Sequence, residues 1–203
     1  GYAREAHAEF RILPATDELL KGNVSISKLR RVDVSDLLGR PETQLHDEAL
    51  RATFTNKTVL ITGADGTIGS ELARRVIPFN PSKLVLIDRA ENQLVFLDYE
   101  LRSLITENVS WNVELITRIV DVTNEDSIRK ITVAHNINIV LHAAAYKHVY
   151  LMEDAPAEAV VNNVGGALNV ARAARDYGVS IFILVSTDKA VAPTSVMGAT
   201  KRL

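Results

Sequence analysis

A short apolar segment, Val59 to Ile61, runs straight into Thr62-Gly63-Ala64-Asp65-Gly66-Thr67-Ile68-Gly69, and an amphipathic stretch follows from about Thr67. Few folds tolerate three glycines at that spacing between a strand and a helix. The first lets the chain bend sharply out of the strand, and the second leaves the main chain bare where the helix begins. The third lets helix and strand pack closely. A helix opened this way offers unpaired amides and the positive end of its dipole, which suits a pyrophosphate. The spacing predicts the first strand-turn-helix unit of an α/β fold that binds a dinucleotide.

The chain from 56 to 203 repeats the same alternation. Apolar runs at Lys57 to Thr62, Lys83 to Asp88, Val113 to Val120, Asn138 to His142 and Ser180 to Ser186 are separated by amphipathic segments. Several are rich in Val, Ile and Leu without strict alternation, as expected of parallel strands covered on both faces. Right-handed crossovers then give a doubly wound parallel sheet of Rossmann type, truncated before any substrate domain. Thr123-Asn124-Glu125-Asp126 reads as a capping box for a helix running to about His135. Pro156 suits the first position of what reads as the longest helix, to Tyr177, and Gly178 suits its left-handed end.

Residues 1–55 read as a connector from a preceding domain, with the dinucleotide-binding domain starting near Asn56. The connector holds one apolar stretch, Phe10 to Leu13, a helical turn at Thr16 to Lys21, a solvated Arg30-Arg31 pair, and a short helix ended by Gly39 and Pro41. The chain begins at Gly1 and ends inside the first turn of a helix, so an excised piece of a longer protein is expected.

Composition excludes several classes. With 23 Lys and Arg against 25 Asp and Glu, no broad basic field exists to hold a nucleic-acid backbone. Cysteine is absent, which removes disulfides and thiolate metal sites and fits a reducing, cytoplasmic setting. No apolar run approaches the roughly 20 residues needed to cross a bilayer. His142 and His148 lack metal-ligand spacing to a second pair of donors, so no metal is expected; His142 reads as the packed end of a strand.

The second strand ends at Asp88, where a carboxylate can accept hydrogen bonds from both ribose hydroxyls and so favours NAD. Arg89 beside it could instead pair with the 2′-phosphate of NADP. Asp121, ending the third strand, either reaches the adenine or caps the following helix. Gly63, Gly66, Thr67, Ile68, Gly69, Val122, Ala143 and Ala144 complete the expected cofactor contacts.

Ser186-Thr187-Asp188 stands at the carboxyl end of the fifth strand, where ligands of open parallel sheets bind. Met197 and Lys201 follow at i, i+4 spacing and share one helix face. Here the chain resembles the extended short-chain dehydrogenase/reductase family, in which a Ser or Thr after this strand is followed by Tyr-x-x-x-Lys; Met197 stands where that tyrosine belongs. His142-Ala143-Ala144-Ala145-Tyr146-Lys147-His148-Val149, Asn162-Asn163 and the stretch from Ser186 to Arg202 resemble the CapD/WbpM-type nucleotide-sugar 4,6-dehydratases of bacterial polysaccharide and glycan biosynthesis. Met occurs at the tyrosine position in several proteins of that branch.

The resemblance implies oxidation of a UDP-N-acetylglucosamine-like sugar at C4 by hydride transfer to NAD, loss of water from C5 and C6, and return of the hydride to C6. It assigns Asp188 as acid and Lys189 as base for the elimination, Thr187 as a partner near O4, and Lys201 as the holder of the nicotinamide ribose, which is counted with the cofactor contacts. Tyr146, Lys147 and Asn162 are implied at the substrate. A thioether takes no proton, so the acceptor of the C4 hydroxyl proton stays open among Asp188, Lys201 through a water, and Lys147. Asp188 would need to act protonated and Lys189 neutral; a dry pocket pushes both that way, and their mutual attraction pushes both the other. Family members associate into homo-oligomers, and the parent protein could be anchored at the cytoplasmic face of the inner membrane. Two other readings stay open: a nucleotide-sugar 4-epimerase, which returns the hydride to C4, and a non-catalytic nucleotide-binding module. The piece alone is expected to be inactive.

Overall fold

The computed structural model describes residues 47–203, together with Arg11–Ile12 and Arg30–Arg31. Those two short segments pair antiparallel, Arg11 opposite Arg31. The expected turn at Thr16 to Lys21, the helix ended by Gly39 and the side chains of Arg30 and Arg31 lie outside the described residues. The chain divides into two units, Gly1–Leu45 and His46–Leu203.

In the second unit, helix α1 (Asp47–Phe54) buries Phe54 against Phe79, ring centroids 6.0 Å apart. Strand β1 (Thr58–Thr62) follows and is buried along its whole length. It leads into α2 (Thr67–Val76), β2 (Lys83–Asp88), α3 (Glu91–Glu107), β3 (Glu114–Ile119), α4 (Glu125–His135) and β4 (Ile139–His142). The strands are all parallel, with β1 flanked by β2 and β4, β3 outside β2, and β5 (Ile181–Leu184) outside β4.

Alternate side chains of these strands serve opposite faces, and apolar residues occupy both. Val59, Ile61, Leu84, Leu86, Ile139 and Leu141 pack with residues of α2 and α3, including Ala73, Leu94 and Leu101. Leu60, Val85, Ile87 and Val140 pack with Ile128 of α4 and with Val170 and Ala173 further on. Two covered faces require continuous apolar strands, which is why the runs read from sequence carry no polar alternation.

The strand after β4 reaches Leu184 rather than Ser186, although the Val185 N–H still donates to the His142 carbonyl at 3.0 Å. The cap of α4 is Asn124, whose side chain accepts from the Ser127 N–H; Thr123 turns instead to Asp121. The segment expected as one long helix begins with Pro156 at its first position and is helical to Asp176, but it comprises α6 (Pro156–Ala159), a π-helical turn (Val160–Gly165) and α7 (Gly166–Asp176). Asn162 and Asn163, consecutive and both buried, sit in that turn. Among the described residues the longest uninterrupted α-helix is therefore α3. Gly178 takes φ +72°, as its place after the helix requires. The remaining elements are α5 (Val149–Asp154), a 3₁₀ turn at Asp188–Ala190 and α8 (Val196–Arg202). No helix among the described residues is long and apolar enough to cross a membrane.

Candidate active site

The glycine turn shows three different spatial demands. Gly63 has φ +67°, and a Cβ there would lie 2.5 Å from the Ala144 nitrogen, so the segment after β4 can pass beside it only because the side chain is hydrogen. A Cβ on Gly69 would strike the Gly63 carbonyl, which fixes how tightly α2 sits on β1. Gly66 is open: the nearest atom to a Cβ there is the Gly63 oxygen at 3.2 Å. It caps α2 in an extended conformation without a side-chain hydrogen bond, so the first amides of the helix are left to a ligand.

Gly63 and Gly66 line a cleft of about 270 Å³ with Asp65, Asp88, Arg89, Asp121, Val122, Ala143, Ala144, Tyr146 and Asn162, while Gly69 lies outside it. Asp88 is held at the end of β2, its Oδ1 accepting from the Ala90 N–H at 3.1 Å and its Oδ2 from the Asp65 N–H at 3.3 Å. The Asp121 carboxylate accepts from both the N–H and the hydroxyl of Thr123, each at 2.8 Å, so it shapes the turn into α4 while still facing the cleft. Val122 is locked from behind, its carbonyl accepting from Asn169 and a Cβ on Gly166 leaving no room against it. Arg89 lies 3.8 Å from Asp121 Oδ2, with its guanidinium carbon 4.6 Å from the centre of the Tyr146 ring.

A second cleft, about 390 Å³, adjoins the first through Ala143, Ala145 and Tyr146. It gathers Ile68, Lys147, Ser186, Thr187, Lys189, Met197 and Lys201. Gly198 makes this possible, because a Cβ there would lie 2.5 Å from the Lys189 carbonyl and would drive α8 off the Asp188–Ala190 turn. Ser195 caps α8 by accepting from the Gly198 N–H at 3.1 Å. Met197 is buried beside Met152 and Ala159. Lys201 is half-buried, and burial lowers its pKa below the usual lysine range.

Asp188 and Lys189 form an ion pair at 3.4 Å in the open, with 87% of the Asp188 side chain exposed. The Thr187 hydroxyl donates to Asp188 Oδ1 at 2.8 Å. That hydrogen bond, followed by the Lys189 charge, holds the Asp188 carboxyl below its ordinary range. Of the two opposing effects anticipated from sequence, mutual attraction governs Asp188 in this form.

The residue that ties the site together is Asn163. Its Oδ1 accepts from the Tyr146 N–H at 2.8 Å and from Asn162 Nδ2 at 3.0 Å, while its own Nδ2 donates to the Tyr146 carbonyl and to Thr200 Oγ1. Asn162 faces the first cleft. Beneath the floor, Thr62 Oγ1 and His142 Nδ1 are 2.7 Å apart, and His142 Nε2 has no hydrogen-bond partner. Burial, with a smaller push from Lys201, lowers the His142 pKa to about 4.

Asp65, Gly198 and Thr200 carry no assignment from the sequence, whereas the resemblance implies that one of Asn162 and Asn163 holds the hydrogen-bond network of the site, and the structure gives that place to Asn163. Asp65 could have been found as a carboxylate inside a glycine turn. Asn163 was visible as half of an Asn pair in an apolar helix, but only the π turn shows how both bury. Gly198 and Thr200 gave no signal apart from their place beside Met197 and Lys201.

A family model described as polysaccharide biosynthesis protein matches residues 59–203. The chain is 41% identical over 191 residues to the capsular polysaccharide biosynthesis protein CapD of Staphylococcus aureus, covering 94% of this chain and 31% of that protein. It is 33% identical to a UDP-N-acetylglucosamine 4,6-dehydratase (inverting) of Campylobacter jejuni, covering 73% of this chain and 41% of the relative. UDP-glucose 4-epimerases match too, that of Rickettsia canadensis at 36% identity over 74% of this chain and 42% of its own length. The solved structure of Pen from Bacillus thuringiensis superposes with a TM-score of 0.64 at 34% identity, over 73% of this chain and 43% of that one. The chain thus spans about a third to two fifths of the length of these relatives. With its parallel sheet, glycine turn and adjoining clefts, the chain belongs to the polysaccharide biosynthesis protein family, within the extended short-chain dehydrogenase/reductases.

Proposed function

We propose that the whole protein is an NAD-dependent nucleotide-sugar 4,6-dehydratase acting on UDP-N-acetylglucosamine or a near relative. The observation that carries this reading is the gathering of Thr187, Lys189, Met197 and Lys201 in one cleft that adjoins the glycine-turn cleft. A dinucleotide laid along the two would place its pyrophosphate at Gly66 and its nicotinamide beside Lys201, and when bound it would supply the acceptor for the C4 hydride. NAD is favoured over NADP because Asp88 stands at the ribose position while Arg89 is turned to Asp121 and Tyr146.

The chain's own groups then divide the work. Lys201 holds the ribose, and burial, which lowers its pKa, favours the neutral amine that takes up the C4 hydroxyl proton through a water. Thr187 orients the sugar near O4. Lys189 removes the C5 proton, Asp188 protonates the departing C6 hydroxyl, and Lys189 gives a proton back to C5 when the hydride returns to C6. Asp188 is open to water in this form, so the substrate must cover it; loss of water raises a carboxyl pKa and frees it to donate. Met197 holds no proton and serves as an apolar wall. The same reading carries a cytoplasmic site of action and self-association of the whole protein.

A 4-epimerase is the second reading, supported by the Rickettsia canadensis relative. The adjacent Asp188 and Lys189 favour the dehydratase, because epimerisation has no C5/C6 elimination to catalyse. Incubating the whole protein with UDP-N-acetylglucosamine and weighing the product separates them. Loss of one water is expected. An unchanged mass with inverted C4 points to the epimerase, and binding of NAD without turnover points to a non-catalytic module.

A further inference from the structure

We propose that Asp65 is a second, proton-gated determinant of which dinucleotide this cleft accepts, working with Asp88 to exclude a 2′-phosphate. The inference rests on the dinucleotide reading of the cleft and goes beyond it. Asp65 lies within the glycine turn, between Gly63 and Gly66, and lines the cleft together with Asp88. Its main-chain N–H donates to Asp88 Oδ2 at 3.3 Å, so the two acidic residues adjoin at the wall of the cleft. The strand ends therefore bring two acidic groups to the spot where the adenosine ribose would sit. Among the described residues the guanidinium in this part of the cleft is that of Arg89, 3.8 Å from Asp121 and with its carbon 4.6 Å from the centre of the Tyr146 ring. Arg89 therefore offsets the two carboxyl groups only in part toward an incoming anion.

Burial first, then the hydrogen bond and charge of Asp88, push the Asp65 carboxyl up to about 6, with Arg89 opposing. The charged or titratable groups facing it are Asp88 and Arg89 from the β2–α3 connection, Asp121 after β3 and Tyr146 after β4. Below that pH the Asp65 carboxyl is protonated and adds no charge. Above it Asp65 is ionised, accepts a hydrogen bond from the ribose of NAD beside Asp88, and repels a phosphate. Discrimination against NADP therefore rises with pH.

Calorimetric titration of NAD and NADP into the whole protein, from pH 5 to pH 8, tests this. A 2′-phosphate titrates near pH 6 by itself, so Asp65→Asn is the reference: it keeps the shape and the hydrogen bond to Asp88 but cannot ionise. The ratio of the NADP to the NAD dissociation constant should climb about tenfold more across this range in the native protein than in the variant, as one added charge in a partly exposed cleft would produce. Asp65→Ser should match Asp65→Asn. If NAD binds and the ratio follows the same curve in all three proteins, the gate is overturned while the dinucleotide site stands. If neither dinucleotide binds at any pH, the dinucleotide reading itself fails and takes the gate with it.

Discussion

Asn163 Nδ2 donates to Thr200 Oγ1 at 2.9 Å, joining the π turn to the residue immediately before Lys201, while the Asn163 Oδ1 accepts from the main chain of Tyr146 at 2.8 Å. One buried amide thus sets the loop after β4 and the helix bearing Met197 and Lys201 relative to each other. Asn163→Ala would leave the polar groups it satisfies without partners, at a cost of about 2–4 kcal/mol. Denaturant unfolding should show that loss, and turnover should fall further than the folded fraction does. Unchanged stability would remove Asn163 from this role.

The glycines of the turn should separate stability from affinity. Gly63→Ala forces a Cβ onto Ala144 at positive φ and should cost more than about 2 kcal/mol. Gly66→Ala meets only the Gly63 carbonyl, at 3.2 Å, so its stability should stay within about 1 kcal/mol of the parent. Its dinucleotide affinity should nevertheless drop at least about tenfold, because the methyl occupies the phosphate approach. Parallel melting and calorimetric titration would check both. Equal affinity in Gly66→Ala would move the pyrophosphate elsewhere.

Lys189→Ala should abolish elimination, by about a hundredfold or more, while NAD affinity stays within about twofold, since the residue lies in the second cleft only. Rapid-quench product analysis and NAD titration on the same preparation supply the two readouts. A large loss of NAD affinity would overturn its assignment as base.

His142 gives the fold a signed pH dependence. Its pKa falls from 6.5 to about 4 on folding, so the unfolded chain binds the proton more readily. The resulting stability is complete above the unfolded value and is lost as pH falls from about 6.5 toward 4, to a limit of about 3 kcal/mol. Denaturant midpoints taken between pH 7 and pH 4.5 should fall faster in the native protein than in His142→Phe. Should that variant prove too unstable, the folded-state pKa can be read by NMR titration of the native imidazole; a value near 6.5 would contradict the assignment.

Much of this arrangement was legible in the sequence because it rests on local rules. Apolar runs at Lys83 to Asp88 and Asn138 to His142 became strands almost to the residue, since two covered faces leave no polar alternative. Glycine spacing located the turn, strand-end logic led to Asp88 and Asp121, and the resemblance supplied Thr187 and Lys189; all four line the two clefts. Long-range geometry was not legible. The π turn at Val160–Gly165 has no local signature, so the sequence predicts a regular helix and does not tell which of Asn162 and Asn163 holds the hydrogen-bond network. Likewise, the contest between burial and ion pairing at Asp188 depends on exposure, which only the folded chain shows.

The central claim is that the hydride taken from C4 is returned to C6 after water is lost. Its most direct test supplies the whole protein with UDP-N-acetylglucosamine carrying deuterium at C4 and locates the label in the product by NMR. The account predicts deuterium in the C6 methyl group of a product lacking one water. Deuterium back at C4, or carried off on released NADH, would contradict it.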